Sequence, residues 1–339
     1  MADIVEKGEG AIALSPTNID SNCLTYEKDN TYISTYKYEE SPEIKIFAGD
    51  IIFVKTGSTV GKVAFIDNII DRTTLNPQLV VLKQVKCNPY FLYLLMAAPC
   101  FQKHIKRITV GGAVPTLSQN EMGRIGITLP PNAEQDRISA LFKLLNYRIE
   151  TQKKIIEKYE SLIRGLCEKL TRQGDANKSI NECLECHSST LQESSVMDDG
   201  KYPVYGATGI CGYTETPDST GDGILIIKDG ASVGVTSYAE GCYSAIGTLN
   251  RLNAKQNIHL RYVYYCLKIM NFSPYKTGLA IPHIYFKDYG RHKIWCPSYE
   301  QQSHIAKILT QIDDKIQVEK SLLEQLNSQK RYMLNQLFI

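Results

Sequence analysis

"IIFVKTGSTVGKVAF", residues 51 to 65, returns at 224 to 238 as "ILIIKDGASVGVTSY". At a constant offset of 173, Ile51 falls on Ile224, Lys55 on Lys228, Gly57 on Gly230, and Val60-Gly61 on Val233-Gly234. Each copy reads as an apolar strand ending in a lysine, a turn with two glycines, and a second strand. Glycine supplies positive φ in such a turn without steric cost. The first copy invites comparison with a nucleotide loop. A P-loop, however, needs four residues between its glycines and a hydroxyl after the lysine. Here three residues separate Gly57 from Gly61, Val63 follows Lys62, and the second copy replaces Lys62 with Val235. The pattern predicts a hairpin in each copy.

The repetition continues downstream. "TVGGAVPTL" at 109 to 117 meets "KTGLAIPHI" at 276 to 284, with Gly111 on Gly278, Ala113 on Ala280, Val114 on Ile281 and Pro115 on Pro282. The same offset of 167 lays "LPPNAEQDRI" on "CPSYEQQSHI", matching Pro130 with Pro297, Gln135 with Gln302 and Ile138 with Ile305. A period of this length is far beyond a solenoid unit. It marks a duplicated domain.

After each copy comes a regular apolar pattern stepping by three and four. In the first it runs Phe142, Leu145, Ile149, Gln152, Ile156, Tyr159, Ile163, Leu166, Leu170. Shifted by 167 it becomes Leu309, Ile312, Ile316, Glu319, Leu323, Leu326, Lys330, Met333, Leu337. This is a heptad seam, with one polar position at the same place in both copies. Each segment predicts a helix of about forty residues, roughly 60 Å long. So narrow a stripe suits a partner helix better than a globular face, and two in one chain are expected to pack on each other. Gln152 and Glu319 read as register devices in that seam.

Composition adds bounds. The chain has 339 residues, 43% hydrophobic and 22% charged, with a net charge of +2. That allows two domains plus the helices. No apolar run reaches the roughly eighteen residues of a membrane span, so "YFLYLLMAA" and "VYYCLKIM" are expected as buried helices. No basic-then-apolar leader opens the sequence, so a cytoplasmic location with free thiols is expected for its ten cysteines. "CLECH", Cys183 to His187, matches a haem-attachment pattern. A zinc site would need a second ligand pair, which is missing, and "INECLECHSST" reads as a β segment opening the second domain. "CNPYF" has one proline too few for an amino-methyltransferase signature. "PDSTGDGILIIK" has Ile226 where a nuclease metal site needs an acid. No nucleophile-plus-base arrangement is readable. The expectation is a chain with no catalytic residues, no cofactor and no metal site.

The order of these parts resembles the specificity subunit of type I restriction–modification enzymes. Two variable β-rich domains each close with Gly-x-Ala-[Val/Ile]-Pro, a proline and Glu-Gln, and then a long heptad helix. "KYPVYGATGICGY", 201 to 213, resembles the opening of that family's target-recognition domain, and residues 49 to 55 and 221 to 234 resemble its central strand and turn. The resemblance implies an α+β fold of two tandem repeated target-recognition domains, each followed by a long α-helix, the two helices forming an antiparallel coiled coil. The implied division is 1–131 and 174–297 for the recognition domains, and 132–173 and 298–339 for the spacer helices. The second domain has a lead-in of about twenty residues from Ile180, whereas the first has only "MADIVEKGEG", so the first is expected to be shortened at its start. The resemblance further implies double-stranded DNA as ligand, read as a bipartite, asymmetric site. The helix pair would act as a ruler between the halves. Two methyltransferase subunits and, for restriction, nuclease–translocase subunits would be the partners. Two other classes stay open: a non-catalytic coiled-coil scaffold carrying two peptide- or glycan-binding domains, and an enzyme using the 54–65 loop for nucleotide, against which the second copy's loss of Lys62 counts.

A net charge of +2 does not announce a DNA binder, so the basic contacts must be local. The DNA-binding candidates are Lys55, Thr56, Ser58, Thr59 and Lys62 in the first turn, with Lys103 and Arg107 in "FQKHIKR". In the second copy they are Lys228 and Ser232 in the turn, with Tyr275 and Lys276 in "SPYKTG". The bland reading of each lysine is a solvated surface residue. The turn tips diverge between copies, with Thr56 against Asp229 and Lys62 against Val235, as two different target sequences would require.

Overall fold

The computed structural model describes residues 4–26, 30–109, 114–278 and 280–338. They form two compact units, Met1–Thr151 with Leu322–Ile339, and Gln152–Ser321.

Both expected hairpins are present. In the first unit, strand Ile51–Val54 pairs antiparallel with Val63–Phe65 on one side and Leu79–Leu82 on the other. In the second, Gly223–Ile227 sits in the same way between Thr236–Ala239 and Leu249–Ala254. Ile51, Ile52, Phe53 and Val54 are all fully buried, which is why this antiparallel strand reads as an unbroken apolar run. The repeat extends to a second sheet. Ala11–Leu14 runs parallel to Thr73–Leu75 and antiparallel to Thr31–Ile33. Tyr202–Gly206 has the same relation to Cys242–Ala245 and Gly209–Thr214. The second unit adds three pairings, Leu184–Ser188 beside Leu249–Ala254, Lys178–Ser179 beside Lys293–Ile294 and Ser219–Thr220 beside Cys242–Ala245.

The two apolar runs are buried helices, Pro89–Ala97 and Leu260–Lys268. Pro89 starts the first, where its missing N–H costs nothing, and the Asn88 side chain caps it by accepting from Phe91 N at 3.0 Å.

"INECLECHSST", expected as a β segment, is not one throughout. Residues Ile180–Cys183 make a helical turn and Leu184–Ser188 the strand. The cause is a capping box, in which Ser179 N–H donates to the Glu182 carboxylate at 2.8 Å and closes the turn before the strand begins. Among the described residues no group of three or more His, Cys, Asp or Glu is placed to hold a metal ion.

The long helices span Asn132–Thr171 and Tyr299–Leu337. In the first unit Leu145 and Ile149, early in one helix, bury with Leu326, late in the other, against Leu322, Leu323 and Met333. In the second unit the order is mirrored, with Ile163 and Cys167 in one core with Leu309 and Ile316. The pairing is therefore antiparallel. Phe142, Leu145, Ile149, Gln152, Ile156 and Ile163 are buried as the heptad predicts, and so are Leu309, Ile316, Glu319 and Leu326. Tyr159, Ile312, Leu323 and Met333 are half-buried. Two corrections apply at the ends. Leu166 and Leu170 are only half-buried, and Cys167 and Thr171 take the buried places. A straight helix of 3.6 residues per turn drifts about 20° per heptad, so the buried stripe moves one position onward. At the other end Leu337 is 46% exposed, while Phe338 is 6% exposed and meets Phe91 with ring centroids 5.3 Å apart.

At the centre of the seam the two polar positions find each other. The Gln152 side-chain amide donates to the Glu319 carboxylate and, at 3.1 Å, to the Glu319 carbonyl. Lys315 pairs with the same carboxylate at 2.7 Å. Hydrogen bonds from Lys315 and Gln152 hold the Glu319 carboxyl below its ordinary range. No helix among the described residues is long and apolar enough to cross a membrane.

Candidate nucleic-acid interface

Each glycine turn is closed by the same backbone wiring. Lys55 N–H donates to the Gln78 carbonyl at 2.9 Å and Lys228 N–H to the Thr248 carbonyl at 3.0 Å. Gly61 N–H returns to Val54 at 3.0 Å and Gly234 N–H to Ile227 at 2.9 Å. Gly61 and Gly234 sit at φ +99° and +91°, a conformation L side chains rarely adopt.

The downstream repeated block docks onto this turn. Gly57 N–H donates to the Pro115 carbonyl at 2.9 Å, and Leu117 N–H to the Lys55 carbonyl at 2.8 Å. In the second unit the matching bonds are Gly230 to Pro282 at 2.9 Å and Ile284 to Lys228 at 2.9 Å. Two sequence blocks far apart in the chain are thus one structural piece. Gly111 and Ala113 of the first block lie outside the described residues.

On this shared frame the tips differ. Thr56 faces Thr116 across an isolated bridge, and Asp229 faces His283 across its counterpart. The His283 Nδ1 lies 2.7 Å from one Asp229 carboxylate oxygen, and Lys228 Nζ donates to the other at 3.0 Å. Burial works against the ionised carboxylate, but the bonds from His283 and Lys228 outweigh it and leave the Asp229 pKa below its ordinary value.

Around the first turn, Lys55, Thr56 and Thr59 are half-exposed and Ser58 is exposed. Helix Pro99–Ile108 is fastened against it, because Gln102 Nε2 donates to the Gly61 carbonyl at 2.8 Å and to Met96 at 2.6 Å. That helix exposes Lys103, His104, Lys106 and Arg107. The last two lie in its final turn, where the helix dipole favours cations. Lys62 stands apart from this group, since its amine donates to the Ile19 carbonyl at 3.1 Å. Around the second turn, Ser232 and Lys276 are exposed. Thr277 exchanges both backbone hydrogen bonds with His283, at 2.9 and 2.7 Å, which ties Tyr275 and Lys276 to the turn. The Tyr275 hydroxyl also meets His292 Nδ1 at 3.0 Å. Lys228 is not free, being paired with Asp229.

Sequence reasoning missed two features. One is the Asp229–His283 pair, which joins residues far apart in the chain. The other is a buried glutamine in each copy. Gln135 Nε2 donates to the Pro130 carbonyl at 2.8 Å, and its Oε1 accepts from Asn88 N–H at 3.0 Å. Gln302 does the same with Pro297 at 2.8 Å and His259 N–H at 2.9 Å. Each glutamine fastens the start of a long helix to the start of a buried helix behind the turn. The signal was present in the alignment of Pro130 and Gln135 with Pro297 and Gln302.

The sequence profile of the family described as the type I restriction modification DNA specificity domain matches this chain twice, over residues 6–161 and 177–328. The chain is 25% identical over 364 aligned positions to the sequence described as the type I restriction enzyme MjaX specificity subunit of Methanocaldococcus jannaschii, covering 95% of this chain and 84% of that one. A shorter stretch is 29% identical over 112 residues to the type I restriction enzyme EcoprrI specificity subunit of Escherichia coli, and spans 33% of this chain and 28% of that subunit's length. In fold the chain is similar to the S subunit of a type I restriction-modification system from M. genitalium. The TM-score is 0.66 at 19% identity, over 99% of this chain and 94% of that one.

Proposed function

The chain belongs to the family of type I restriction modification DNA specificity domains, and on that premise we propose that its two repeats each read one half of a bipartite, asymmetric sequence in double-stranded DNA. The observation that carries this reading is the pair of glycine turns, equal in backbone wiring and different in the side chains at the tip. A shared frame with divergent tips suits two readers of unlike half-sites. Phosphate contacts position a protein on the duplex, and base-edge contacts specify the sequence. In this reading Lys103, Arg107 and Lys276 neutralise phosphates, while Thr56, Ser58, Thr59, Asp229 and Ser232 face the bases. Tyr275 and Lys55 border both. The recognition domains are assigned to 1–131 and 174–297, with the spacer helices at 132–173 and 298–339 setting the gap between half-sites. The chain itself is non-catalytic and cytoplasmic, docking two methyltransferase subunits and, for restriction, nuclease–translocase subunits.

The test is selection from a randomised duplex library by the chain co-purified with a methyltransferase subunit. A gapped, asymmetric motif is expected. Within it, Lys103→Ala or Arg107→Ala should weaken binding to all sequences alike and reduce the salt slope by about one each. No enrichment of any motif would defeat the reading and favour a peptide- or glycan-binding scaffold.

A further inference from the structure

In the second unit a cavity of about 330 Å³ opens beside the end of the first long helix, within the roughly 300–1,000 Å³ usual for small-molecule sites. Part of its wall is apolar, supplied by Ile269 and Met270 just beyond the buried helix and by Ile294. Trp295, the single tryptophan of the chain, stands in the same wall. Its backbone is held on both sides. The Trp295 carbonyl accepts from the Tyr262 hydroxyl at 2.6 Å, and the Asn177 side chain bonds both backbone groups of Cys296, at 2.8 and 3.1 Å. Gly174 approaches the indole so closely that a Cβ there would come within 2.4 Å of Nε1, so this glycine serves close approach.

The charged groups on the wall are Arg172, Asp175 and Lys293, all exposed, and His292 adds a ring whose Nδ1 lies 3.0 Å from the Tyr275 hydroxyl. Two permanent cations thus stand against one acid, and the balance favours an anion. Part of the Lys293 charge is already answered by Glu182, whose carboxyl is held below its ordinary range chiefly by bonds from Ser179, with Lys178 and Lys293 adding to the effect. The fold does not demand these side chains. At the offset of 167 the first unit has Ile125, Gly126 and Thr128 where the second has His292, Lys293 and Trp295. The bland reading of Trp295, a ring covering the core, accounts for its packing but not for the cations beside it.

We propose that this cavity binds a free mononucleotide, with the base against the Trp295 indole and the phosphate on Arg172 and Lys293. Every base offers a π-face that stacks on an aromatic ring. A guanidinium presents a planar fork of donors to phosphate oxygens, and an ammonium adds a compact point charge. Ring, apolar wall and cations meet in one small cavity, which suits a ligand that joins a flat body to an anion. The inference goes beyond DNA reading and does not depend on it. A chain that selects no DNA motif keeps this cavity, and a chain that binds no mononucleotide keeps its glycine turns.

The test is a titration of the full chain with AMP, read by the fluorescence of Trp295 excited at the red edge of its band and repeated by calorimetry. Saturable quenching is expected, and adenosine or inorganic phosphate alone should bind about tenfold more weakly or worse. Arg172→Ala and Lys293→Ala should each weaken AMP binding by about tenfold. Both residues are exposed, so these variants carry little risk to folding. Asp175→Asn should tighten binding by about threefold, because it removes a like charge. Trp295→Leu, followed by calorimetry alone, should weaken it by about tenfold. Absence of saturable AMP binding overturns the proposal, as does an affinity indifferent to both Arg172→Ala and Lys293→Ala. Inorganic phosphate binding as tightly as AMP would leave the indole without a role and overturns it as well. A single-stranded oligonucleotide that quenches Trp295 where AMP does not would assign the ring to a nucleic-acid strand, and overturns the free mononucleotide.

Discussion

The two glycine turns share nearly every backbone hydrogen bond but are propped by different side chains. Behind Gly61 stands Gln102, a flexible amide held by two carbonyls. Behind Gly234 stands Phe272, itself packed edge-to-face on Tyr289. A Cβ built on Gly61 would come within 2.8 Å of the Gln102 amide oxygen, and one built on Gly234 within 2.8 to 2.9 Å of three Phe272 atoms. The comparison teaches that the frame is specified by backbone geometry, which fixes glycine, while the support behind it is free to vary.

The largest expected effect follows from that difference. Gly234→Ala imposes a strained positive φ and also forces a ring set in the core, so a loss of roughly 3–5 kcal/mol is expected. Gly61→Ala carries the same backbone strain, but a glutamine end can move, so roughly 1–3 kcal/mol is expected. Urea unfolding followed by amide exchange within each unit measures both. Equal losses would mean that the supports are interchangeable and the distinction has no energetic content.

The glutamines make the opposite comparison, since Gln135 and Gln302 make matching bonds to matching partners. Replacing either by leucine leaves a half-buried backbone N–H and a carbonyl without their partner, at about 1–3 kcal/mol for the unsatisfied groups. The two variants should therefore lose similar stability, about 2 kcal/mol each. A large inequality would show that one copy rearranges to satisfy its groups, and would break the picture of one device used twice.

How much of this was legible follows from how local each signal is. The heptad seam and the hairpins could be read because periodicity and glycine spacing are properties of contiguous residues. The duplication could be read because the offsets stay constant. The seam's drift onto Cys167 and Thr171 could not, because it accumulates over several turns and reverses no single residue type. The helical turn inside "INECLECHSST" was hidden by a strand-like composition, although Ser179 and Glu182 spell a capping box. The candidate site was legible as a set of turns and nearby cations. What escaped was pairing across the chain. The sequence placed Lys228 and Lys62 among the open candidates, but the fold brings Asp229 and His283 to the first and the Ile19 carbonyl to the second. No spacing rule announces a partner in a different repeated block.

The smallest expected effect sharpens the contrast between the tips. The native Asp229 carboxyl titrates below its ordinary value of 3.8. A depressed carboxyl contributes stability that is fully present above the unfolded value and is lost as pH falls through the native one. Lowering the pH from 5 towards 2 should therefore loosen residues 223–239 in the wild type more than in Asp229→Asn, which lacks this carboxyl. The His283 and Asp229 side chains are 37% and 30% exposed, so solvent and salt screen the pair. The difference should shrink as ionic strength rises. Amide exchange against pH reads it locally, and the Thr56–Thr116 turn serves as the internal reference because it carries no acid between its strands. If Asp229→Asn keeps the full wild-type slope, the acid response of the second turn lies elsewhere. The exchange of an acid–imidazole pair for two threonines would then be a difference in what the tips can contact, with no difference in how the turns are held.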